Sequence, residues 1–256
     1  MRNYVEEPLQ VLSFGGGTQS TAMLILISEG RLKKPDIVMF ADTGSETLST
    51  YTHVHEWAIP FCEKHAIPFE IVSSDKGKLH EFYLERRNIP MIGIAKCTKD
   101  FKITPIRQRL REIVGKKNGV CLVNCWIGIT MDEDHRRHQG DVKWIVNTYP
   151  FLDDLKMTRR QCIELLADRG VKVEKSGCWL CPYQPKRNWL KLRRSNPDLF
   201  EFAAKMEEAT DERLRENGRM LHVGFMGEKA RLRELSQIPD LWSFEDTKCD
   251  SGACFI

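Results

Sequence analysis

The chain has 256 residues, with 39 basic and 36 acidic side chains and a formal net charge of +3 at pH 7. That length supports one sizeable α/β core with a smaller appendage and excludes two large independent domains. The near-balanced charge neither demands nor excludes nucleic acid. No apolar run reaches the ~18 residues of a membrane span, and the segment from Met1 to Glu7 lacks the apolar stretch of a secretion signal. A soluble, cytoplasmic protein that does not engage a membrane is therefore expected. Nine cysteines, an odd number, read in a reducing compartment as metal ligands, redox thiols and core residues before disulfides.

The first predicted strand runs from Leu9 to Phe14. It breaks into Gly15-Gly16-Gly17-Thr18-Gln19-Ser20 and turns at once into an apolar helical run from Thr21 to Ile27. Strand, glycine turn and helix start in that order build an anion site. Glycines let backbone N–H groups approach phosphate or sulfate oxygens, the helix start adds positive partial charge, and Thr18 and Ser20 add hydroxyls. No Gly-Lys-Ser/Thr ending follows, so this is not the nucleoside-triphosphatase P-loop. A second strand, Asp36 to Ala41, is a continuous apolar run suited to burial on both faces. It ends at Asp42-Thr43-Gly44-Ser45-Glu46. There Asp42 or Glu46 either caps a turn or binds ribose hydroxyls or a metal beside the phosphate. Helical spacing follows from Thr50 to His65, then a third strand from Pro68 to Val72. The β-α-β-α-β order predicts a doubly wound, mostly parallel sheet that binds ligands at its carboxyl edge.

A basic amphipathic helix is expected over Thr104 to Val114 and a buried strand over Val120 to Ile129. A charged loop, Thr130 to Asp141, leads to a strand at Lys143 to Val146. There His135 and His138 with Asp132, Glu133 and Asp134 form either a solvated loop or a divalent-metal site. A helix follows from Thr158 to Asp168, carrying the capping pair Thr158 and Gln161. Near Ser176 the character changes to cysteines, prolines, aromatics and clustered Lys and Arg. The expected division is a nucleotide-binding domain at 1–175 and a small helical, cysteine-containing cap at 176–256. Cys178 and Cys181 are spaced so that two thiolates can meet one metal centre, zinc or iron–sulfur, although a redox pair fits as well. Cys62, Cys121, Cys125 and Cys162 fall in apolar elements and read as packing residues. Lys186-Arg187-Asn188-Trp189 and Lys191-Leu192-Arg193-Arg194 describe either a nucleic-acid patch on which Trp189 stacks or an amphipathic helix with Trp and Leu inward.

The string Leu12-Ser13-Phe14-Gly15-Gly16-Gly17-Thr18-Gln19-Ser20, with Asp42-Thr43-Gly44, Thr50-Tyr51, Gly128-Ile129 and the following Asp132, Glu133 and Arg136, resembles the phosphoadenosine phosphosulfate reductase branch of the PP-loop ATP pyrophosphatases. The likeness runs collinearly through Tyr149-Pro150-Phe151-Leu152-Asp153 to about residue 185. The pyrophosphatase loop is Ser-Gly-Gly-x-Asp-Ser; here Gly15 stands for the first Ser and Gln19 for the Asp. Sulfonucleotide reductases carry a Ser-Phe-Gly-x-Gln type of loop, so this loop is intermediate between the two. Thr130 replaces the family arginine of the second loop. The segment from Cys97 to Pro105 is similar to the Cys-Cys-x-x-x-Lys-x-x-Pro stretch of the iron–sulfur reductases, with Thr98 in place of the second cysteine.

The resemblance implies an adenine nucleotide α-hydrolase fold and an adenine nucleotide, ATP with Mg²⁺, held by Ser13 to Ser20, Asp42, Thr43, Gly44 and Gly128. It implies a [4Fe–4S] cluster on Cys97, Cys178 and Cys181, with Cys254 or Cys249 as fourth ligand; structural zinc is the alternative. A substrate oxygen would attack the α-phosphorus, giving an adenylated intermediate and pyrophosphate, with Arg136 and Lys102 neutralising the growing charge. The cluster or a free tail cysteine, Cys249 beside Lys248, would then supply sulfur. The acceptor class includes tRNA, DNA and small molecules, a cysteine desulfurase is a possible partner, and a homodimer is allowed. The alternatives are sulfonucleotide reduction, with Cys249 attacking the sulfur of adenylyl sulfate, and a zinc-stapled, non-catalytic nucleic-acid-binding module.

Overall fold

A computed structural model describes residues 3–94, 96–115, 120–227 and 230–236. Five parallel strands, β1 (Asn3–Ser13), β2 (Ile37–Asp42), β3 (Phe69–Ser73), β4 (Val120–Trp126) and β5 (Ile145–Thr148), form one sheet in the order β3-β2-β1-β4-β5. The helices in chain order are α1 (Thr18–Ser28), α2 (Leu48–Thr52), α3 (Ile59–Lys64), α4 (Leu79–Glu85), α5 (Lys96–Thr98), α6 (Thr104–Val114), α7 (Pro150–Asp153), α8 (Arg159–Asp168), α9 (Lys186–Ser195), α10 (Pro197–Glu216) and α11 (Leu232–Ser236). Wide helical turns at His53–Ala58 join α2 to α3, so the periodicity read over Thr50 to His65 is one continuous helical run.

The chain divides into two compact units. Residues up to Asp42, Glu46–Ser73 and Lys102–Gly177 make the first; Thr43–Ser45, Ser74–Phe101 and the described residues from Cys178 onward make the second. The second unit thus takes in Ser74–Phe101 as well as the described residues from Cys178 onward, while Ser176 and Gly177 fall in the first.

In the first unit the sheet is doubly wound because its strands lack a polar face. Val11, Leu12, Val38 and Met39 are fully buried, and a strand apolar on both sides must be covered on both sides. The register pairs Leu12 with Val38 on one flank and with Trp126 on the other, which places β1 at the centre. Helix α1 is buried almost all round, from Ala22 to Ile27, and packs with Cys162 and Leu166 of α8. Helix α8 opens on a capping box. Thr158 Oγ1 accepts from the Gln161 amide at 3.3 Å while the Thr158 amide donates to Gln161 Oε1 at 2.8 Å. The thiols expected to pack do so: burial pushes Cys62, Cys125 and Cys162 up to about 12.

The second unit is built on Phe82, Phe101, Trp189, Phe200 and Phe225. Trp189 is fully buried, 5.0 Å from the Phe225 ring, so the inward reading of α9 holds and this indole is not available to stack on a base. Two buried acids of α10 seat the segment that follows it. Glu207 accepts the amides of Phe225 at 2.7 Å and Leu232 at 2.9 Å, and Asp211 accepts from His222 Nδ1 at 2.7 Å and the Val223 amide at 3.2 Å. Among the described residues no helix is long and apolar enough to cross a membrane.

Two measurements test this packing. Thr158→Ala removes the α8 cap and is expected to cost ~1 kcal/mol in denaturant unfolding. His53, stacked on Trp57 at 5.0 Å, is held by burial down at about 4, below its ordinary 6.5. Between these values the unfolded chain carries a proton that the folded chain does not, so stability falls as pH drops from 6.5 to about 4. A loss of up to ~3 kcal/mol across that window is expected, and His53→Gln should flatten it.

Candidate functional site

In a doubly wound sheet ligands collect where the strand order reverses, here between β1 and β4. The β1 strand ends at Ser13 and Phe14 is fully packed, which delivers Gly15, Gly16 and Gly17 to the carboxyl edge. Gly16 has φ +68, a left-handed conformation that favours glycine, and a Cβ there would lie 3.1 Å from Thr50 Cγ2. Gly17 is the N-cap of α1, and no side chain caps the helix. The first-turn amides of Thr18, Gln19 and Ser20 therefore lack a side-chain acceptor, which is the arrangement an anion uses.

The turn is braced from behind. Thr21 Oγ1 donates to the Gly17 carbonyl at 2.8 Å and faces His53 Nε2 at 2.8 Å. Since the hydroxyl proton is committed to Gly17, the neutral imidazole serves as donor from Nε2. Neither Thr21 nor His53 was marked by the sequence, although His53 and Trp57 stand one helical turn apart. Ser176, read only as a boundary, also belongs to the site: a Cβ on Gly17 would meet its Oγ at 2.7 Å.

The loop after β4 closes on the same turn. A Cβ at Gly128 would lie 3.1 Å from Gln19 Cβ, so only a glycine here allows so close an approach without a shift. Beyond it Glu133, 9% exposed, accepts from Gln19 Nε2 at 2.8 Å, from Thr130 Oγ1 at 3.2 Å and from Arg136 Nη1 at 2.7 Å. The Arg136 side chain is 10% exposed, and its buried Nε–H has no hydrogen-bond partner. Such an orphan donor costs ~1–3 kcal/mol unless an oxygen from outside the chain accepts it.

At the end of β2, Asp42 Oδ1 accepts from the Tyr51 hydroxyl at 2.7 Å; burial and that bond hold the phenol well above its usual range. Glu46, 4% exposed, forms an ion pair with Lys102, whose Nζ lies 3.3 Å away. Lys102 thus reaches this part of the first unit already carrying a counter-charge. The remaining loop acids have structural roles. Asp132 accepts the Arg159 amide at 2.9 Å, and Asp134 and Asp153 both pair with Arg137. The divalent site considered around His135 and His138 is not formed among the described residues.

The second unit holds Thr43 and the Cys-x-x-Cys. Thr43 Oγ1 lies 3.2 Å from Cys178 Sγ, and the Trp179 amide donates to the Ser45 carbonyl at 3.0 Å. Cys97 and Cys178 both pack against the same apolar cluster. The seven described cysteines, Cys97, Cys178 and Cys181 among them, form no disulfide with one another. Among the described residues, however, no three His, Cys, Asp or Glu side chains are grouped so as to hold a metal ion. Cys97, Cys178 and Cys181 are three of the four thiols that the resemblance implies for a cluster. Cys249 and Cys254 lie outside the described residues.

A curated relative, an uncharacterized protein of Methanocaldococcus jannaschii, is 25% identical over 202 residues, 73% of this chain. The chain spans only 45% of that relative's length. Among solved structures it is similar to a phosphoadenylyl-sulfate reductase from Candida auris in a phosphate complex, with a TM-score of 0.49 and 13% identity, covering 68% of this chain and 83% of that one. It is also similar to the U34-tRNA thiolase NcsA from Methanococcus maripaludis with its [4Fe–4S] cluster, with a TM-score of 0.48 and 17% identity, covering 82% and 74%. Residues 10–172, which carry the whole sheet edge described above, match the phosphoadenosine phosphosulfate reductase domain, and the chain belongs to that family.

Proposed function

We propose that the protein is an adenylyl-activating enzyme that binds ATP, with its Mg²⁺, on the Gly15–Ser20 turn and uses the activated product for sulfur transfer. The observation that carries this reading is the uncapped start of α1, with its three first-turn amides, at the point where the strand order reverses in a chain of this family. The amides take phosphate oxygens. An acceptor oxygen attacks the α-phosphorus, a new P–O bond forms, the bond to the bridging oxygen breaks, and pyrophosphate leaves with the electron pair. Lys102 offsets the charge on the leaving group, its ammonium positioned by Glu46 at 3.3 Å. A thiol then displaces AMP from the adenylated centre. The acceptor is a nucleic acid, tRNA or DNA, or a small molecule, and a cysteine desulfurase is the sulfur source this chemistry calls for. A cluster would be held by Cys97, Cys178 and Cys181 with a tail thiol, Cys254 or Cys249, and no step is assigned to it.

One observation favours a second reading, sulfonucleotide reduction. Residue 19 is an amide bonded to Glu133 and not a free carboxylate, and the loop contributes no acid of its own beside the phosphates.

Isotope exchange between pyrophosphate and ATP separates the two. Exchange in the presence of acceptor is expected, and Lys102→Ala or Gly16→Ala should lower it at least ~10-fold, a change worth ~1.4 kcal/mol in the barrier. Thiol-dependent sulfite release from adenylyl sulfate without exchange would replace the first reading by the second. Salt-sensitive nucleic-acid binding with no turnover of either nucleotide would replace both.

A further inference from the structure

We infer that Glu133 is a positioning residue that locks Arg136 against the phosphate turn, and that Gln19 is an amide because it must share a hydrogen bond with that carboxylate. The inference rests on the nucleotide reading of the turn and adds to it the device that sets the anion-binding arginine.

The three side chains form one chain of contacts. Glu133 Oε2 takes the Gln19 amide and the Thr130 hydroxyl, and Oε1 takes Arg136 Nη1. Gln19 stands on the first turn of α1 and Glu133 lies 114 positions away, so the contact ties the glycine turn to the loop after β4. Gly128 permits the approach, since a Cβ there would already crowd Gln19 Cβ at 3.1 Å. With Nη1 committed, the guanidinium plane is fixed, and its buried Nε–H remains without an acceptor. A planar guanidinium fixed by a carboxylate on one side and offering a free N–H on another is matched by a phosphate or sulfate-ester oxygen. The Glu133–Arg136 pair carries no net charge, so the unused donor makes the site selective for an anion without repelling the rest of the ligand.

The identity of residue 19 follows from the same geometry. A carboxylate there would stand within hydrogen-bond distance of Glu133, and two like charges so close would drive Glu133 away from Arg136. Positions 19 and 133 therefore tolerate one amide and one carboxylate but not two carboxylates.

Calorimetric titration with ATP, adenylyl sulfate and adenosine tests this on the full-length protein and four variants, Glu133→Gln, Gln19→Glu, the double exchange Gln19→Glu/Glu133→Gln, and Arg136→Lys. Each single variant is expected to bind ATP or adenylyl sulfate ~10–100-fold more weakly. Adenosine, which has no anionic group, should bind all of them equally. The double exchange should bind the anionic ligand more tightly than Gln19→Glu alone. Arg136→Lys keeps the charge, lacks the Nε–H and leaves Gln19 and Glu133 themselves in place, so it provides the answer should a variant at 19 or 133 fail to fold. ATP or adenylyl sulfate bound by the variants as by the parent protein would overturn the inference alone, as would equal losses for adenosine or a double exchange worse than either single change. A parent protein that binds none of the three ligands would overturn the nucleotide reading and this inference with it.

Discussion

The parallel pairing of β1 with β4 is the constraint on which the first unit depends. Every strand leaves the sheet at the same edge, and the order reverses at this pair, so the segments after Ser13 and Trp126 emerge side by side. Hydrogen bonding of the backbone thus brings together two loops separated by more than a hundred positions. Packing of Leu12, Phe14 and Trp126 into the same apolar core then holds both strand ends at a fixed height. The side chains beyond them inherit that precision.

What the site offers chemically follows from how its polar groups are shared out. The acids at its rim are committed: Asp42 to Tyr51, Glu46 to Lys102, Glu133 to Gln19, Thr130 and Arg136. Donors are left over, namely the first-turn amides of an uncapped helix and one guanidinium N–H. A pocket with spare donors and spent acceptors selects anions. Buried pairs of this kind contribute little net stability, because desolvation offsets their attraction, but they hold each group in one orientation.

Much of this was legible locally. The strand, glycine turn and helix at Leu9 to Ile27 announce themselves because apolar period, glycine and helix start occur within twenty residues. Thr158 and Gln161 were readable for the same reason, a cap being a contact across three positions. Ser74–Phe101 was not. Leu79, Phe82 and Tyr83 keep helical i, i+3, i+4 spacing only over the seven residues of α4, and the partners that bury this cluster, such as Trp189 and Phe200, come about a hundred residues later. The Gln19–Glu133 bond was hidden likewise. Each residue was recognisable in its own motif, but their pairing is a property of strand order, and strand order is not written in either motif.

The two acids of α10 carry a different lesson. Glu207 and Asp211 grip the chain from His222 to Leu232 chiefly through main-chain amides, those of Phe225, Leu232 and Val223. An amide is present whatever side chain is attached, so much of this strap is free to drift in composition over evolutionary time while keeping its course. The two carboxylates have no such latitude.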